Sequence, residues 1–219
     1  NTVATFETTG FAANVQAVSI LGYYSIGVGA LQARRVASEP THLWKFRSAD
    51  FYLPNGSTSE ANGGWWEGYT QGAVYTAESF GFVGDGVTDN LAAFNNWQDY
   101  INALWADDFG YTGTLKFLEL TYYFSDTIHV NTTMNLEGVT TSASGSATKF
   151  IFADNVIGMC LNAYNTHGFS VITSPPYNYG ASDTSIKRIY FQPKNIPAST
   201  PLLPGCFGLL AKNRFTMED

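Results

Sequence analysis

The sequence reads Phe80-Gly81-Phe82-Val83-Gly84-Asp85-Gly86-Val87-Thr88-Asp89-Asn90-Leu91-Ala92-Ala93-Phe94, and the predicted fold depends on this stretch. It contains a tight turn at Gly84-Asp85-Gly86 and then the start of a helix. Apolar side chains recur at helical spacing at Leu91, Phe94, Trp97, Ile101 and Leu104, with Trp105 beside them. Thr88 is the predicted N-cap, and Asp89 suits the positive end of the helix.

From residue 109 onward, short β-prone runs alternate with turns of Gly, Asn, Ser and Asp. Two architectures fit this rhythm: a sandwich of hairpins, or a solenoid of parallel coils. Hairpins are expected to carry Asn-Gly or Asp-Gly turns, and such pairs, among them Asn55-Gly56 and Asp85-Gly86, all precede this region. The pattern therefore favours a solenoid of roughly five coils, in which each coil packs on the next.

Residues 80–94 resemble the entry segment of the pectate-lyase-like superfamily, to which proteins related to glycoside hydrolase family 28 belong. Residues 113–117, 122–128 and 133–138 resemble the strands that follow in that family. The chain departs from the family pattern at Asn90, where an Asp is usual, and at Leu118-Glu119-Leu120, where Pro-x-Gly is usual. The resemblance implies a mainly β chain that opens a right-handed parallel β-helix behind an N-terminal capping helix.

Residues 1–77 are similar to a module that precedes the β-helix in many phage and prophage tail proteins. The motifs that carry this similarity include Leu21-Gly22-Tyr23-Tyr24, Glu39-Pro40, Ser48-Ala49-Asp50 and Gly64-Trp65-Trp66-Glu67, with residues 51–63 as an insertion. The resemblance implies a phage tailspike or tail fibre protein. On this resemblance, residues 1–77 form a small mixed α/β or β module for anchoring and assembly. Residues 78–219 form the cap helix and the first coils of the β-helix. We expect these coils to continue beyond residue 219.

The same resemblance implies a virion spike, either a tailspike or a head spike, that binds host surface polysaccharide. It implies a homotrimer that is made in the bacterial cytoplasm, is displayed on the virion surface and contacts other tail, baseplate or capsid proteins. Two alternatives stay open at this stage: a polysaccharide-degrading enzyme, whether hydrolase or lyase, and a purely structural adaptor.

The composition of the 219 residues argues against several other functions. A net charge of −7 with only 13% charged residues disfavours nucleic-acid binding, which requires clustered Lys and Arg. No apolar run reaches the roughly 18 residues of a membrane-spanning helix. The two cysteines, Cys160 and Cys206, lack the spacing of a zinc site, and no phosphate-binding loop is present. We therefore expect no metal, cofactor, nucleic acid or membrane insertion.

Glycoside hydrolysis uses two carboxylates, about 5 Å apart or about 6.5–9.5 Å apart. Strands in neighbouring coils stack at about 4.8 Å, so two outward acids in register would meet this requirement. The candidate catalytic residues are Asp126, Glu137, Asp154 and Asp183. The motifs typical of polygalacturonases do not occur in order, and the sequence leaves catalysis open.

Aromatic side chains can stack on sugars, and the candidate glycan-binding residues are Trp65 and Trp66. One ring of the pair is expected to be buried at the junction of the two regions and the other to be partly exposed. The residues expected to be structural, because they suit turn and helix-start geometry, are Gly84, Asp85, Gly86, Thr88 and Asp89.

Overall fold

The computed structural model describes residues 2–12, 14–49, 51–52, 58–59, 64–70, 72–107, 113–119, 121–130, 132–141, 146–154, 156, 158–161, 184–194, 207–209 and 215–218. The helices are α1 (Val3–Phe6), a 3₁₀ helix (Ala77–Phe80) and α2 (Leu91–Asp107). The strands are β1 (Ala17–Ile20), β2 (Leu31–Arg35), β3 (Lys45–Arg47), β4 (Phe51–Tyr52), β5 (Thr58–Ser59), β6 (Trp65–Tyr69), β7 (Val74–Thr76), β8 (Asp85–Asp89), β9 (Gly113–Lys116), β10 (Thr121–Phe124), β11 (Ile128–Val130), β12 (Met134–Glu137), β13 (Thr140–Thr141), β14 (Ser146–Phe152), β15 (Met159–Leu161), β16 (Thr184–Lys187), β17 (Ile189–Pro193), β18 (Phe207–Leu209) and β19 (Phe215–Glu218).

The first part of the chain forms a four-stranded antiparallel sheet in the order β1-β2-β6-β3. Side chains alternate along β6, where Trp66 is buried and Trp65 is partly exposed, as the period of a strand requires. Phe6 of α1 packs edge-on against Trp66, with ring centroids 5.7 Å apart. The short pair β4–β5 lies within the segment that the sequence marked as an insertion.

The later strands pair mainly in parallel and form three further sheets. These have the orders β7-β9-β12-β16-β19, β8-β10-β14-β17 and β11-β15-β18, and β13 adds to β14 in the antiparallel sense. Inward side chains stack across strands in register, so that Leu115, Leu136 and Ile186 form one fully buried row. Burial of such rows provides most of the stabilisation of a parallel sheet.

The predicted right-handed parallel β-helix is wrong. The described strands lie in separate sheets, two of them antiparallel and three mainly parallel, and they do not make a β-helix. What holds is a mainly β chain with short helices. Spacing of apolar runs and turns reports where strands lie, whereas the arrangement of the sheets depends on core contacts between distant residues. One such contact crosses the expected boundary at residue 77, because β7 pairs with β9.

Helix α2 confirms the apolar stripe, since Phe94, Trp97 and Ile101 are fully buried. The predicted N-cap is wrong: Thr88 lies in β8, and the helix begins at Leu91. The side chain of Trp105 lies outside the described residues. In the described part of the chain, no helix is both long and apolar enough to cross a membrane.

A buried carboxylate connects the 3₁₀ helix to the strands that follow. Glu78, only 3% exposed, accepts hydrogen bonds from the Leu118 N–H at 3.2 Å and from the hydroxyl of Tyr122. Its second carboxylate oxygen is buried without a partner. Burial raises the pKa of the Tyr122 phenol, and the nearby charge of Glu78 raises it further.

Candidate functional site

The motif residues Asp85–Asp89 precede α2 and lie in β8, and the first of them make a local turn held by their own side chains. The carboxylate of Asp85 accepts hydrogen bonds from the N–H groups of Val87 and Thr88, at 2.8 and 2.7 Å, and from the Thr88 hydroxyl at 2.7 Å. These bonds, chiefly the one from the Thr88 N–H, hold the pKa of Asp85 below its ordinary value. Gly86 has a φ of +73°, a conformation that favours glycine. Asp85, Gly86 and Thr88 are therefore placed as structural residues.

Asp89 ties this turn to the next strand of its sheet. Its carboxylate accepts hydrogen bonds from the Leu91 N–H at 3.1 Å and from the N–H and hydroxyl of Ser125 at 3.0 and 2.5 Å. Burial acts to raise the pKa of Asp89, but the bonds from Ser125 and Leu91 outweigh it and the pKa lies below its ordinary value. Asp89 thus accepts the first N–H of α2 and at the same time holds Ser125, the residue directly after β10.

The four candidate acids lie in different places. Asp126 and Asp154 each stand two residues beyond the paired residues Phe124 and Phe152, so they occupy equivalent positions at one end of a sheet. Both are exposed, and the Asp126 carboxylate accepts a hydrogen bond from the Thr127 N–H at 2.7 Å. Neither acid lines the cavity of about 580 Å³ or the cavity of about 330 Å³. The two acids follow neighbouring strands at matching positions, but their surroundings are those of turn residues.

The remaining two candidate acids are Glu137 and Asp183. Glu137 lies on β12, in a different sheet from Asp126 and Asp154, and it lines a cavity. Asp183 lies outside the described residues, as do Cys206 and the side chain of Cys160.

The side chains of Trp65 and Trp66 point to opposite faces of the sheet, as neighbouring residues on a strand do. Trp66 is fully buried, and its indole N–H donates to the Ser48 hydroxyl at 2.9 Å, so it is a core residue. Trp65 is partly exposed on the opposite face, with the cationic groups of Lys45 and Arg47 at 5.8 and 5.4 Å from its ring. Only Trp65 is therefore placed to meet a ligand.

Glu137 is the candidate acid that lies between two cationic side chains. One of its carboxylate oxygens is paired with the guanidinium of Arg188, and the other lies 3.5 Å from the ammonium of Lys116. The side chain of Glu137 is 24% exposed, whereas those of Lys116 and Arg188 are 44% and 38% exposed. These three residues, here called the corner site, form a partly desolvated carboxylate between two cations.

Neighbouring strands bring the corner site together. Lys116 ends β9 and stands directly opposite Glu137 on β12, while Arg188 lies between β16 and β17. The guanidinium of Arg188 also donates a hydrogen bond to the Gly138 carbonyl oxygen at 3.1 Å. Arg188 is the one described non-glycine residue with a positive φ, at +55°. Residues in this region cost about 1–3 kcal/mol and occur often at functional sites.

A cavity of about 330 Å³ opens beside the corner site. Its wall combines all three charged residues with apolar and small groups from the turns that end β9 and β12: Phe117, Leu118, Gly138, Val139 and Thr140. The side chain of Leu118 is half exposed, at 53%. The arrangement offers fixed donors, a fixed acceptor and an apolar contact in one concave place, which are the elements of a small-molecule site.

The sequence singled out Glu137 but neither of its cations. A signal was available for Lys116, because Lys116 and Glu137 each end a four-residue strand with the same alternation of buried and partly exposed side chains. For Arg188 no such signal exists, since its role follows from a backbone conformation and from a partner 51 residues away.

No protein-family model matches the chain, and no curated protein matches it either. In the part of the chain that the structure describes, no group of three or more His, Cys, Asp or Glu side chains could hold a metal ion. At the corner site, Lys116, Glu137 and Arg188 offer hydrogen bonds and charges.

Proposed function

We propose that this chain is part of a virion spike that binds host surface polysaccharide, and that the corner site is where the polysaccharide binds. The observation that carries the proposal is the carboxylate of Glu137, held between Arg188 and Lys116 at a cavity of about 330 Å³. Sugar hydroxyls both donate and accept hydrogen bonds, so they can pair with a carboxylate and with cationic donors at once.

The guanidinium supports a binding role for this cluster. An Arg at a φ of +55° costs about 1–2 kcal/mol relative to ordinary backbone. The bonds of Arg188 to Glu137 and to the Gly138 carbonyl oxygen offset this cost and orient the guanidinium toward the cavity that it lines. A ligand then meets donors whose positions are already set, which lowers the entropy cost of binding.

Binding is favoured over hydrolysis at this site. Hydrolysis of a glycosidic bond uses two carboxylates, one on each side of the bond. Among the described residues that line the cavity, Glu137 is the single carboxylate, and both of its oxygens are in ion pairs. We therefore assign the site to recognition and not to bond cleavage.

The spike assignment itself draws on the motifs of residues 1–77, which are similar to those of phage and prophage tail modules. In this proposal three copies associate on the surface of the virion, and residues 1–77 anchor them to tail, baseplate or capsid proteins. The mass of the protein in solution, measured by light scattering, is expected to be that of three chains. A monomer over the whole concentration range would contradict the spike proposal.

An array of bacterial capsular and O-antigen polysaccharides tests the binding proposal. The unaltered protein is expected to bind a small number of these polysaccharides, and Glu137→Gln and Arg188→Asn are expected to lose that binding. Lys149→Ala is the matched control, because Lys149 lies on the outer face of a different sheet. Equal binding by Glu137→Gln and the unaltered protein would remove the corner site from the proposal.

Following the chain length of each bound polysaccharide separates the enzyme alternative from binding. A polysaccharide that binds and keeps its length supports recognition, and a shortened polysaccharide contradicts the assignment. In that second case Asp126→Asn and Asp154→Asn identify whether these two exposed acids are responsible, because they occupy equivalent positions just beyond neighbouring strands.

A further inference from the structure

A second, larger cavity of about 580 Å³ lies between the antiparallel sheet and β7. One wall contains a single cross-strand row, in which Ser19 stands opposite Gln32 and Gln32 stands opposite Tyr69. The facing wall contains Val74 and Thr76 of β7. Cavities of roughly 300–1,000 Å³ are typical of small-molecule sites, and this one falls in that range.

The described side chains that line this cavity carry no charge. Hydroxyl, amide and phenol groups of Ser19, Gln32 and Tyr69 supply hydrogen-bond donors and acceptors along one wall. Leu21 and Val74 supply apolar surface at the rim, where they are 50% and 51% exposed. A matching ligand is uncharged, carries several hydroxyl groups and has an apolar face.

The base of the cavity is rigid. Trp44, only 3% exposed, donates its indole N–H to the Ser79 carbonyl oxygen at 3.0 Å and stacks on Phe80 with ring centroids 4.3 Å apart. The rings of Trp44 and Tyr75 also contact each other, at 5.8 Å between centroids. Since these aromatic groups are already packed, a ligand does not have to order this wall when it binds.

We propose that this inter-sheet cavity binds one residue of a neutral saccharide, at a site separate from the corner site. A pyranose ring has hydroxyl groups around its edge and C–H groups on its face, so it can meet the polar row of Ser19, Gln32 and Tyr69 with its edge. Its face can then contact the side chains of Leu21 and Val74. The absence of charge among the described lining side chains selects against acidic sugars, whose carboxylate would lose water without gaining a cation.

Calorimetric titration with methyl α-glucoside, N-acetylglucosamine and glucuronate tests this proposal. We expect saturable binding of at least one neutral sugar and none of glucuronate. Gln32→Ala is expected to weaken the binding about fivefold, the effect of one neutral hydrogen bond. Val74→Phe, which places a larger side chain in the cavity, is expected to abolish it.

Two controls isolate the inter-sheet cavity. Gln192→Ala removes a partly exposed glutamine from the outer face of another sheet and is expected to leave sugar binding unchanged. Repeating the titration with Arg188→Asn removes the corner site's own contribution to sugar binding, so the two sites can fail separately. The proposal is overturned if no neutral sugar binds, if glucuronate binds as tightly, or if Gln32→Ala and Val74→Phe, with unaltered circular dichroism, bind like the parent protein.

Discussion

The backbone N–H and the side-chain amide of Asn90 both donate hydrogen bonds to the carbonyl oxygen of Tyr123, at 2.9 and 3.2 Å. The same side-chain nitrogen also donates to the carbonyl oxygens of Val83 and Thr88, and the side-chain oxygen accepts from the Val83 N–H at 2.7 Å. Asn90 is fully buried. Asn90 therefore connects the turn before α2, the start of α2 and strand β10. Each of its side-chain polar atoms has a hydrogen-bond partner.

Asn90→Asp is predicted to destabilise the protein by about 3–5 kcal/mol, because a buried carboxylate would face three carbonyl oxygens without a donor. Urea unfolding at neutral pH measures the loss, and lowering the pH is expected to reduce it as the new carboxyl group becomes neutral. Asn95→Asp is the control, since Asn95 is exposed on α2. Equal stability of Asn90→Asp and the unaltered protein would show that the amide is not required.

Tyr122 is predicted to contribute to alkaline unfolding. Burial, and then the charge of Glu78, raise the pKa of its phenol above the ordinary 10.0. A raised pKa means that the unfolded chain ionises first, so this contribution to stability is complete below a pH of about 10 and is lost as the pH rises further. The free energy of unfolding, measured from pH 8 to pH 11, is expected to fall less steeply for Tyr122→Phe than for the unaltered protein.

The control for Tyr122→Phe is Tyr190→Phe, because Tyr190 is 63% exposed. That variant is expected to follow the unaltered protein at every pH. Tyr122→Phe also removes a hydrogen bond from the buried Glu78 and one acceptor from the Glu119 N–H, so it is expected to lose about 1–3 kcal/mol at neutral pH. Parallel pH profiles for the two variants would contradict the assignment.

Asp89→Asn is predicted to lose about 0.5–2 kcal/mol at neutral pH, because hydrogen bonds from Ser125 and Leu91 to a carboxylate are replaced by weaker ones to a neutral amide. The pKa of Asp89 lies below its ordinary value because hydrogen bonds from Ser125 and Leu91 outweigh burial. A lowered pKa places this stabilisation above a pH of about 4, and it is lost as the pH falls through the folded-state value. Unfolding curves of the variant and the parent are therefore expected to converge in acid, whereas Asp126→Asn, at an exposed neighbouring turn, should match the parent throughout.

Arg188→Gly is predicted to abolish polysaccharide binding while the stability of the fold changes little. Glycine accepts the φ of +55° without strain, and this gain of about 1–2 kcal/mol compensates for much of the lost pairing with Glu137. The melting temperature is expected to change little, while polysaccharide binding is lost. Arg188→Lys keeps the charge without the forked donors and should bind weakly. Full binding by Arg188→Gly would exclude the guanidinium from recognition.

Trp66→Ala is predicted to cost about 3–5 kcal/mol, as expected for a large aromatic group removed from a core. Trp66 is fully buried and bonded to Ser48, whereas Trp65 is partly exposed. Trp65→Ala is the matched variant and should cost less than about 1 kcal/mol. Thermal unfolding followed by circular dichroism compares the two, and similar losses would mean that Trp65 also belongs to the core.

Part of the candidate site could be predicted from the sequence. Glu137 was identified as an outward acid on a strand, because the alternation of apolar residues around it is visible locally. Its cations were missed, since Lys116 and Arg188 lie 21 residues before it and 51 residues after it. The choice between Trp65 and Trp66 was also left open, as neighbouring residues on a strand point to opposite faces and the sequence does not say which face is covered.

The sequence by itself determined α2 and the turn before it, because their hydrogen bonds and apolar stripe join residues within a few positions of one another. Only the tertiary structure decided that the strands lie in separate sheets and not in a β-helix, and that Asn90 bonds Tyr123. It likewise decided that Lys116, Glu137 and Arg188 meet. The physical reason is that pairing between distant strands depends on which apolar faces are buried together, and many registers satisfy the same local pattern.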